Sequence, residues 1–223
     1  MKKSIARLLL RMLGWKIEGD RPKYKRYVLI AAPHTSNWDF PLMLLFAAAF
    51  DVEVTWMGKH SLFRPPMGWV MRLLGGMPIK RHKNTNVVDD MVEKFGVEPY
   101  FILVVPAEGT RARAEYWKSG FYHIARQAKV PVVPTFLDFG RKRGGFGAPY
   151  QLSGNPVDDM DHFRHFYAGT TGKFPKDVSP IRLREEEEYL RQTEQADSVN
   201  PGSADAVAND SHAHERQAEG ASA

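Results

Sequence analysis

Residues 100–111 have the sequence YFILVVPAEGTR, in which an apolar, β-prone run (100–106) leads directly into Ala107-Glu108-Gly109-Thr110-Arg111. An apolar run of this length predicts a strand buried on both faces, as in the interior of a parallel sheet. Residues 26–33 (RYVLIAAP) and residues 130–139 (VPVVPTFLDF) have the same character. The sequence therefore predicts that these three runs form the buried strands of one sheet.

Helical segments alternate with these strands. They are predicted at residues 39–50, 61–74 (helical after residue 63), 84–95, 121–128, 159–167 and 182–190. Residues 52–57 are a further strand candidate, and residues 140–147 are predicted to be a glycine-rich basic turn that leads to residues 148–152. This alternation predicts an α/β fold with a mostly parallel central sheet flanked by helices.

An amphipathic helix is predicted at residues 1–14 (MKKSIARLLLRMLG), which Gly14 ends. The apolar side chains that share one face of it are Ile5, Leu8, Leu9, Met12 and Leu13. The cations on the opposite face are Lys3, Arg7 and Arg11. Two interpretations stay open, because a helix docked on the protein's own core and a helix lying on anionic lipid show the same pattern.

Residues 191–223 differ in composition from the rest of the chain. Their only larger apolar residues are Val199 and Val207, and they contain no aromatic residue. We expect a disordered polar tail, because such a segment cannot bury enough apolar surface to offset the entropy of ordering it. Residues 15–190 remain as the main folded domain, preceded by the helix at residues 1–14.

The charge of the chain is concentrated outside this tail. The whole chain has a net charge of +5, but residues 1–190 contain 29 basic and 20 acidic residues and therefore carry +9. A body this basic suits a polyanionic partner, such as nucleic acid, anionic lipid or a phosphorylated substrate.

Several classes of protein are excluded or disfavoured by the composition. The chain has no cysteine, which excludes disulfides, thiolate catalysis and zinc–thiolate sites. Residues 1–14 are interrupted by Arg7 and Arg11 and do not resemble a secretory signal. The longest apolar stretch, residues 40–50, is shorter than the roughly 18–20 residues that span a bilayer. The composition therefore favours a cytosolic setting.

His34 and Asp39 are the first candidates for chemistry, because they lie where a buried strand gives way to a helix. A carboxylate on one imidazole nitrogen fixes the tautomer and raises the basicity of the other nitrogen. Such a pair could deprotonate a substrate hydroxyl. The spacing alone equally allows Asp39 to stabilise the helix N-terminus and His34 to be an ordinary turn residue.

Glu108-Gly109-Thr110-Arg111 is the second candidate, since it follows the strand at residues 100–106. Gly109 permits a tight turn, and Arg111 offers a planar fork for a phosphate. A helix-capping turn would use the same residues. Arg81, which follows the Gly75-Gly76 break, is a third basic candidate or a solvated surface arginine.

Together these stretches resemble the glycerolipid acyltransferase family, whose best-known members are 1-acylglycerol-3-phosphate acyltransferases. Four conserved sequence blocks of the family have counterparts here, in the same order. Residues 34–39 match the first block, a His and an Asp separated by four residues, and residues 108–111 match the third block in full. Residues 76–81 (GMPIKR) resemble the second block, and residues 130–134 (VPVVP) resemble the fourth block. The first and third blocks are the more specific, and the resemblance covers roughly residues 10–185. Met77-Pro78 replaces the usual bulky apolar pair of the second block, a departure that bears on the identity of the acceptor.

The resemblance implies roles for the residues that carry it. His34, oriented by Asp39, would be the general base, and Arg81 and Arg111 would hold the phosphate of the acceptor. Glu108, Gly109 and Thr110 would shape that pocket, and Pro134 would shape the acyl-side wall. It implies no metal and no redox cofactor, since acyl-CoA or acyl carrier protein is the acyl-donor substrate.

The resemblance also implies phospholipid biosynthesis at the cytoplasmic face of a membrane, with a lysophospholipid acceptor in an anionic bilayer and no nucleic acid. The acceptor would be 1-acylglycerol-3-phosphate, giving phosphatidic acid. Alternatives are glycerol-3-phosphate, a lyso-ornithine lipid, or a non-catalytic basic module that binds lipid or nucleic acid. A binding module has no need of a His–carboxylate pair, and the chain has no Gly-x-Ser-x-Gly elbow of a serine hydrolase.

Overall fold

Seven strands form one sheet in the computed structural model, which describes residues 2–79 and 87–199. They are β1 (Lys16–Glu18), β2 (Arg26–Ala31), β3 (Thr55–Lys59), β4 (Gly76–Ile79), β5 (Phe101–Pro106), β6 (Val132–Asp138) and β7 (Arg143–Phe146). Their order across the sheet is β1-β7-β6-β2-β5-β3-β4, and every neighbouring pair except β6–β7 is parallel. The predicted α/β fold with a mostly parallel central sheet is confirmed.

Helices cover both faces of this sheet. They are α1 (Lys2–Met12), α2 (Asp39–Phe50), α3 (Gly68–Leu73), α4 (Val87–Val97), α5 (Gly120–Ala128) and α6 (Pro156–Tyr167). Alternate residues of a strand point to opposite faces, so Tyr27 and Leu29 of β2 pack with α1, α2 and the α3 region. Val28 and Ile30 pack with α4, α5 and α6. The central strands are therefore buried on both sides, which explains their continuous apolar sequences.

The edge formed by β1 and β7 differs from the prediction. Residues 140–147 were predicted to be a turn, but Arg143–Phe146 is a strand that runs antiparallel to β6 and parallel to β1. The glycines that suggested a turn are required by close packing, since a Cβ on Gly145 would lie 1.7 Å from the Glu18 carbonyl oxygen. Glycine in a strand can mark such a close backbone approach as well as a turn.

The boundaries of the other elements follow the prediction with local shifts. Helix α2 begins and ends where predicted, at residues 39 and 50. The helix predicted within residues 61–74 is a 3₁₀ turn (His60–Phe63) followed by α3, which starts only at Gly68. The interruption falls at Pro65-Pro66, because proline lacks an N–H and disfavours helical backbone in the residue before it.

Helix α1 packs on the domain through only two side chains, and most of its apolar face is exposed to solvent. Its buried residues are Ala6 and Leu10, which pack in the cluster that also contains residues of α2. The exposed fractions of its other large apolar residues lie between 41% and 75%; these residues are Ile5, Leu8, Leu9 and Met12, with Leu13 just after the helix. Docking on the core therefore accounts for only part of its apolar surface.

The chain divides into a unit of Met1–Arg184 and a second unit of Glu185–Ala223, of which residues up to 199 are described. Helix α7 (Arg184–Val199) continues beyond its predicted end at residue 190, into the segment predicted to be disordered. The prediction of disorder used apolar content alone, which does not take helix propensity into account. Residues 191–197 (RQTEQAD) include several good helix formers, so the helix can continue through them. Within residues 2–79 and 87–199, none of the helices combines the length and apolar character of a membrane span.

Candidate active site

His34 and Asp39 form a hydrogen-bonded pair at the carboxyl end of β2. The His34 Nδ1 atom lies 3.0 Å from Asp39 Oδ2, and the exposed fractions of the two side chains are 25% and 9%. The same Oδ2 accepts the backbone N–H groups of Thr35 (3.0 Å) and Ser36 (2.9 Å). Asp39 thus closes the loop that carries His34, and the carboxylate favours the tautomer in which Nδ1 carries the proton and Nε2 is the base.

Glu108 stabilises the loop at residues 34–39 through hydrogen bonds. The Glu108 Oε1 atom accepts the His34 backbone N–H at 2.7 Å. Its Oε2 accepts the backbone N–H of Ser179 at 3.1 Å and the Ser179 hydroxyl at 2.6 Å. Glu108 is 1% exposed and does not line the cavity at His34, so its side chain supports the backbone of the loop from within the protein. Its role in shaping a phosphate pocket stays a prediction.

A cavity of about 1000 Å³, which we name the α2 cavity, opens beside His34 and runs between α2 and the sheet. His34, Asn37 and Arg111 line its polar end. Its apolar walls include Met43, Phe46, Phe50, Val54, Leu137 and Phe146. Asp39 also lines it, so the His–carboxylate pair faces a space that is polar at one end and apolar along its length.

Arg111 lines the polar end of the α2 cavity together with its neighbours Gly109 and Thr110. A guanidinium nitrogen of Arg111 donates to the side-chain oxygen of Asn37, which comes from the loop between His34 and Asp39. Gly109 has φ +68°, and a Cβ there would lie 2.6 Å from a side-chain atom of Lys118, so the turn requires glycine.

The remaining predicted site residues are Pro134, which the structure describes, and Arg81, which it does not. Pro134 of β6 pairs in register with Ile30 of β2, whose side chain packs on the α4–α6 face of the sheet. Pro134 does not line the α2 cavity, and its proposed role in the acyl-side wall stays a prediction. Leu137 of the same strand lines the cavity. Arg81 lies outside the described residues.

Loop 168–183 supplies contacts that the sequence did not predict. Thr35 Oγ1 accepts the backbone N–H of Phe174 at 3.2 Å, and the Lys173 ammonium lies 5.3 Å from the centre of the Trp38 ring. Ser179 Oγ also accepts the backbone N–H of Ala114 at 3.0 Å. No spacing in the sequence links Ser179 to Glu108, because 71 residues separate them.

Within the described residues, no group of three or more His, Asp or Glu side chains could hold a metal ion.

Comparisons with known proteins identify the family to which the chain belongs. The sequence profile of the acyltransferase family, described as "Acyltransferase", matches residues 15–138, a segment that holds the His34–Asp39 pair and Glu108-Gly109-Thr110-Arg111. A 1-acyl-sn-glycerol-3-phosphate acyltransferase of Saccharomyces cerevisiae is 29% identical over 137 residues, covering 56% of this chain and 44% of the relative. One of Limnanthes douglasii is 30% identical over 127 residues, with 55% and 44% covered. The chain thus spans less than half the length of these curated relatives.

The fold has a counterpart among solved structures. The crystal structure of the 1-acyl-sn-glycerophosphate (LPA) acyltransferase PlsC from Thermotoga maritima superposes with a TM-score of 0.52 at 20% identity. The superposition covers 74% of this chain and 73% of that protein. An identity this low supports the fold alone, whereas the family profile spans more than half of the sequence. The chain belongs to the acyltransferase family.

Proposed function

We propose that this chain moves a fatty acyl group from an acyl thioester, acyl-CoA or acyl carrier protein, to the hydroxyl of a lysophospholipid. The first-choice acceptor is 1-acylglycerol-3-phosphate, which would give phosphatidic acid. The observation that carries the proposal is the His34–Asp39 pair, 3.0 Å apart, at the polar end of the α2 cavity. The names of the curated relatives support the choice of acceptor.

The chemistry needs no nucleophile from the protein. His34 Nε2 takes the proton of the acceptor hydroxyl, and the freed oxygen attacks the thioester carbonyl carbon. The new C–O bond forms, the C–S bond breaks, and the thiolate leaves with the proton from the imidazolium, which restores neutral His34. Asp39 stabilises the transient imidazolium and keeps the ring in place, since its carboxylate is fixed by the N–H groups of Thr35 and Ser36.

Substrate placement follows the polarity of the α2 cavity. The acyl chain occupies the apolar length beneath α2, where Phe46, Phe50 and Phe146 line the wall. The phosphate of the acceptor lies at Arg111, which Asn37 orients through a hydrogen bond. Arg81 remains a proposed second phosphate ligand because of its place in the second motif block.

A membrane surface is the proposed location, since both the acceptor and the product are lipids. The exposed apolar face of α1, with Lys2, Lys3 and Arg11 also exposed, suits an interfacial helix on anionic lipid. We propose peripheral association with the cytoplasmic face, without a role for nucleic acid.

The test is thiol release from palmitoyl-CoA and from palmitoyl acyl carrier protein by the purified full chain. Each donor is combined with 1-acylglycerol-3-phosphate, glycerol-3-phosphate or a lyso-ornithine lipid in detergent micelles. We expect release that depends on an acceptor and is greatest with 1-acylglycerol-3-phosphate. Thiol release of the same rate without any acceptor would indicate a thioesterase and contradict the proposal.

A further inference from the structure

Residues 54–88 form a continuous stretch without a single acidic residue, between Glu53 and Asp89. The stretch contains six Lys or Arg residues and two His residues. The structure describes its residues 54–79, 87 and 88, which include β3, the 3₁₀ turn His60–Phe63, α3 and β4. A segment of one charge sign attracts a surface of the opposite sign.

The 3₁₀ turn and α3 are anchored to the domain by their inner side. Phe63 is buried and packs on Trp56, with ring centres 5.8 Å apart. The Trp56 indole N–H donates to the Leu74 carbonyl at 2.8 Å, across the end of α3. Arg72 donates to the Phe63 carbonyl at 3.4 Å. This anchoring fixes which side of α3 faces outward.

The outer side of the same segment is apolar. Trp69 and Leu73 are 68% and 76% exposed, and their four-residue spacing puts them on one face of α3. Met67, just before the helix, is 54% exposed. Single exposed apolar residues are common on proteins, but a tryptophan grouped with large aliphatic residues and flanked by cations is typical of a membrane interface. The flanking cations here are Arg64 and Arg72.

The segment also joins the exterior to the α2 cavity, because Leu62 and Met71 line that cavity. Leu62 is also 48% exposed, so the cavity wall reaches solvent at the 3₁₀ turn that precedes α3. In addition, α1 and the α3 region pack on the same face of the sheet. An apolar surface on a helix that also lines the proposed acyl site, and on the same face of the sheet as α1, fits a bilayer better than a protein partner.

We propose that Met67, Trp69 and Leu73, which we name the α3 patch, insert into the interface of an anionic bilayer as a second contact beside α1. The inference rests on the proposed function only for the supply of substrate from that bilayer. Binding itself requires no catalysis. Arg64 and Arg72, which flank the patch and are exposed, supply attraction to anionic headgroups, and the patch supplies apolar contact.

The test is co-sedimentation of the full chain with vesicles of phosphatidylcholine alone and with about one third phosphatidylglycerol. The Trp69→Ser/Leu73→Ser variant should partition into the anionic vesicles at least about tenfold more weakly than the wild type, because two large side chains lose hydrocarbon contact. Val97→Ser is the matched control, since Val97 is 71% exposed at the end of α4, on the other face of the sheet. It should bind like the wild type.

Fluorescence quenching gives a measurement that does not depend on a disruptive variant. Lipids brominated on the acyl chain should quench the wild type more than Trp69→Phe, which retains an aromatic side chain. Equal quenching of the two proteins, or equal partitioning of Trp69→Ser/Leu73→Ser and wild type, would overturn the proposal. Salt-sensitive binding to RNA with no binding to anionic vesicles would overturn it as well.

Activity in detergent micelles separates this inference from the proposed function. The Trp69→Ser/Leu73→Ser variant should retain wild-type acyl transfer there, because neither side chain lines the α2 cavity. If the wild type showed no acyl transfer in micelles but bound vesicles through Trp69, the proposed function would fail and the α3 patch would stand. A fall in micelle activity equal to the fall in vesicle binding would contradict the patch, since it would indicate a general structural defect.

Discussion

Replacing Ser179 by alanine tests whether the buried hydrogen bonds behind His34 support catalysis. The variant removes a 2.6 Å hydrogen bond to the Glu108 carboxylate and the acceptor of the Ala114 backbone N–H. A hydrogen bond to a charged group contributes about 1.5–3 kcal/mol, and loss of the acceptor of the half-buried Ala114 N–H adds up to about 1 kcal/mol. The Ser179 backbone N–H still donates to Glu108, so we expect a loss of about 2–4 kcal/mol in the free energy of unfolding.

The effect on catalysis should be distinct from the loss of stability. Glu108 also accepts the His34 backbone N–H, so a looser Glu108 displaces the imidazole and should lower kcat about tenfold or more. KM for the acceptor should change little, because Ser179 does not line the α2 cavity. Ser179→Thr keeps the hydroxyl and should restore most of the activity.

Steady-state kinetics and urea unfolding measure the two quantities on the same preparations. Ser119→Ala is the matched control, because the Ser119 side chain makes no capping hydrogen bond to α5. A Ser179→Ala protein with wild-type kcat at saturating substrate would refute a positioning role for Ser179, whatever its stability.

Three further variants test other parts of the structure. Burial raises the pKa of the Asp138 carboxyl, but hydrogen bonds from Arg141, the Arg141 charge and the Gly140 N–H outweigh burial and hold that pKa below its usual value. The ionised Asp138 carboxylate therefore stabilises the fold above the unfolded-state pKa, and this stabilisation is lost as pH falls through the folded-state pKa. In urea unfolding measured at a series of pH values, Asp138→Asn should therefore lose less free energy of unfolding on acidification than the wild type. An equal loss in the two proteins would contradict this. Ala47 lines the α2 cavity, so Ala47→Leu should shift donor preference toward shorter acyl chains, and an unaltered chain-length profile would exclude Ala47 from the acyl site. Arg111→Ala should raise KM for a phosphorylated acceptor about tenfold or more, and an equal effect on an acceptor without phosphate would argue against phosphate contact.

The central fold could be predicted because its signals are local and agree with one another. The strands at residues 26–31 and 101–106 are long apolar runs, and both faces of each are buried. The signal for helix α2 is also local. Its apolar segment lies between polar neighbours, and the helix was predicted over its observed range. Strand β7, which lies between the edge strand β1 and β6, was not predicted, because its glycines serve close contact with β1, a partner more than 120 residues away in sequence.

In the candidate site, too, some features could be predicted from local sequence and others depend on distant contacts. His34, Asp39 and Arg111 could be identified because each directly follows a strand or begins a helix, and parallel strands bring such positions to one edge. The direction of the Glu108 side chain could not be predicted, because it depends on Ser179, which approaches from a distant loop. The sequence pattern also could not separate the docked and exposed faces of α1, since only Ala6 and Leu10 are buried there.

The most direct test of the account is acyl transfer by His34→Ala and Asp39→Asn in detergent micelles. His165→Ala, on α6 at the other face of the sheet, is the matched control, and circular dichroism and unfolding midpoints establish that all variants are folded. We predict that His34→Ala lowers activity about 10²–10⁴-fold and that Asp39→Asn removes a large part of it, whereas His165→Ala keeps wild-type activity. A folded His34→Ala protein with activity close to that of the wild type would contradict the assignment of His34 as the general base.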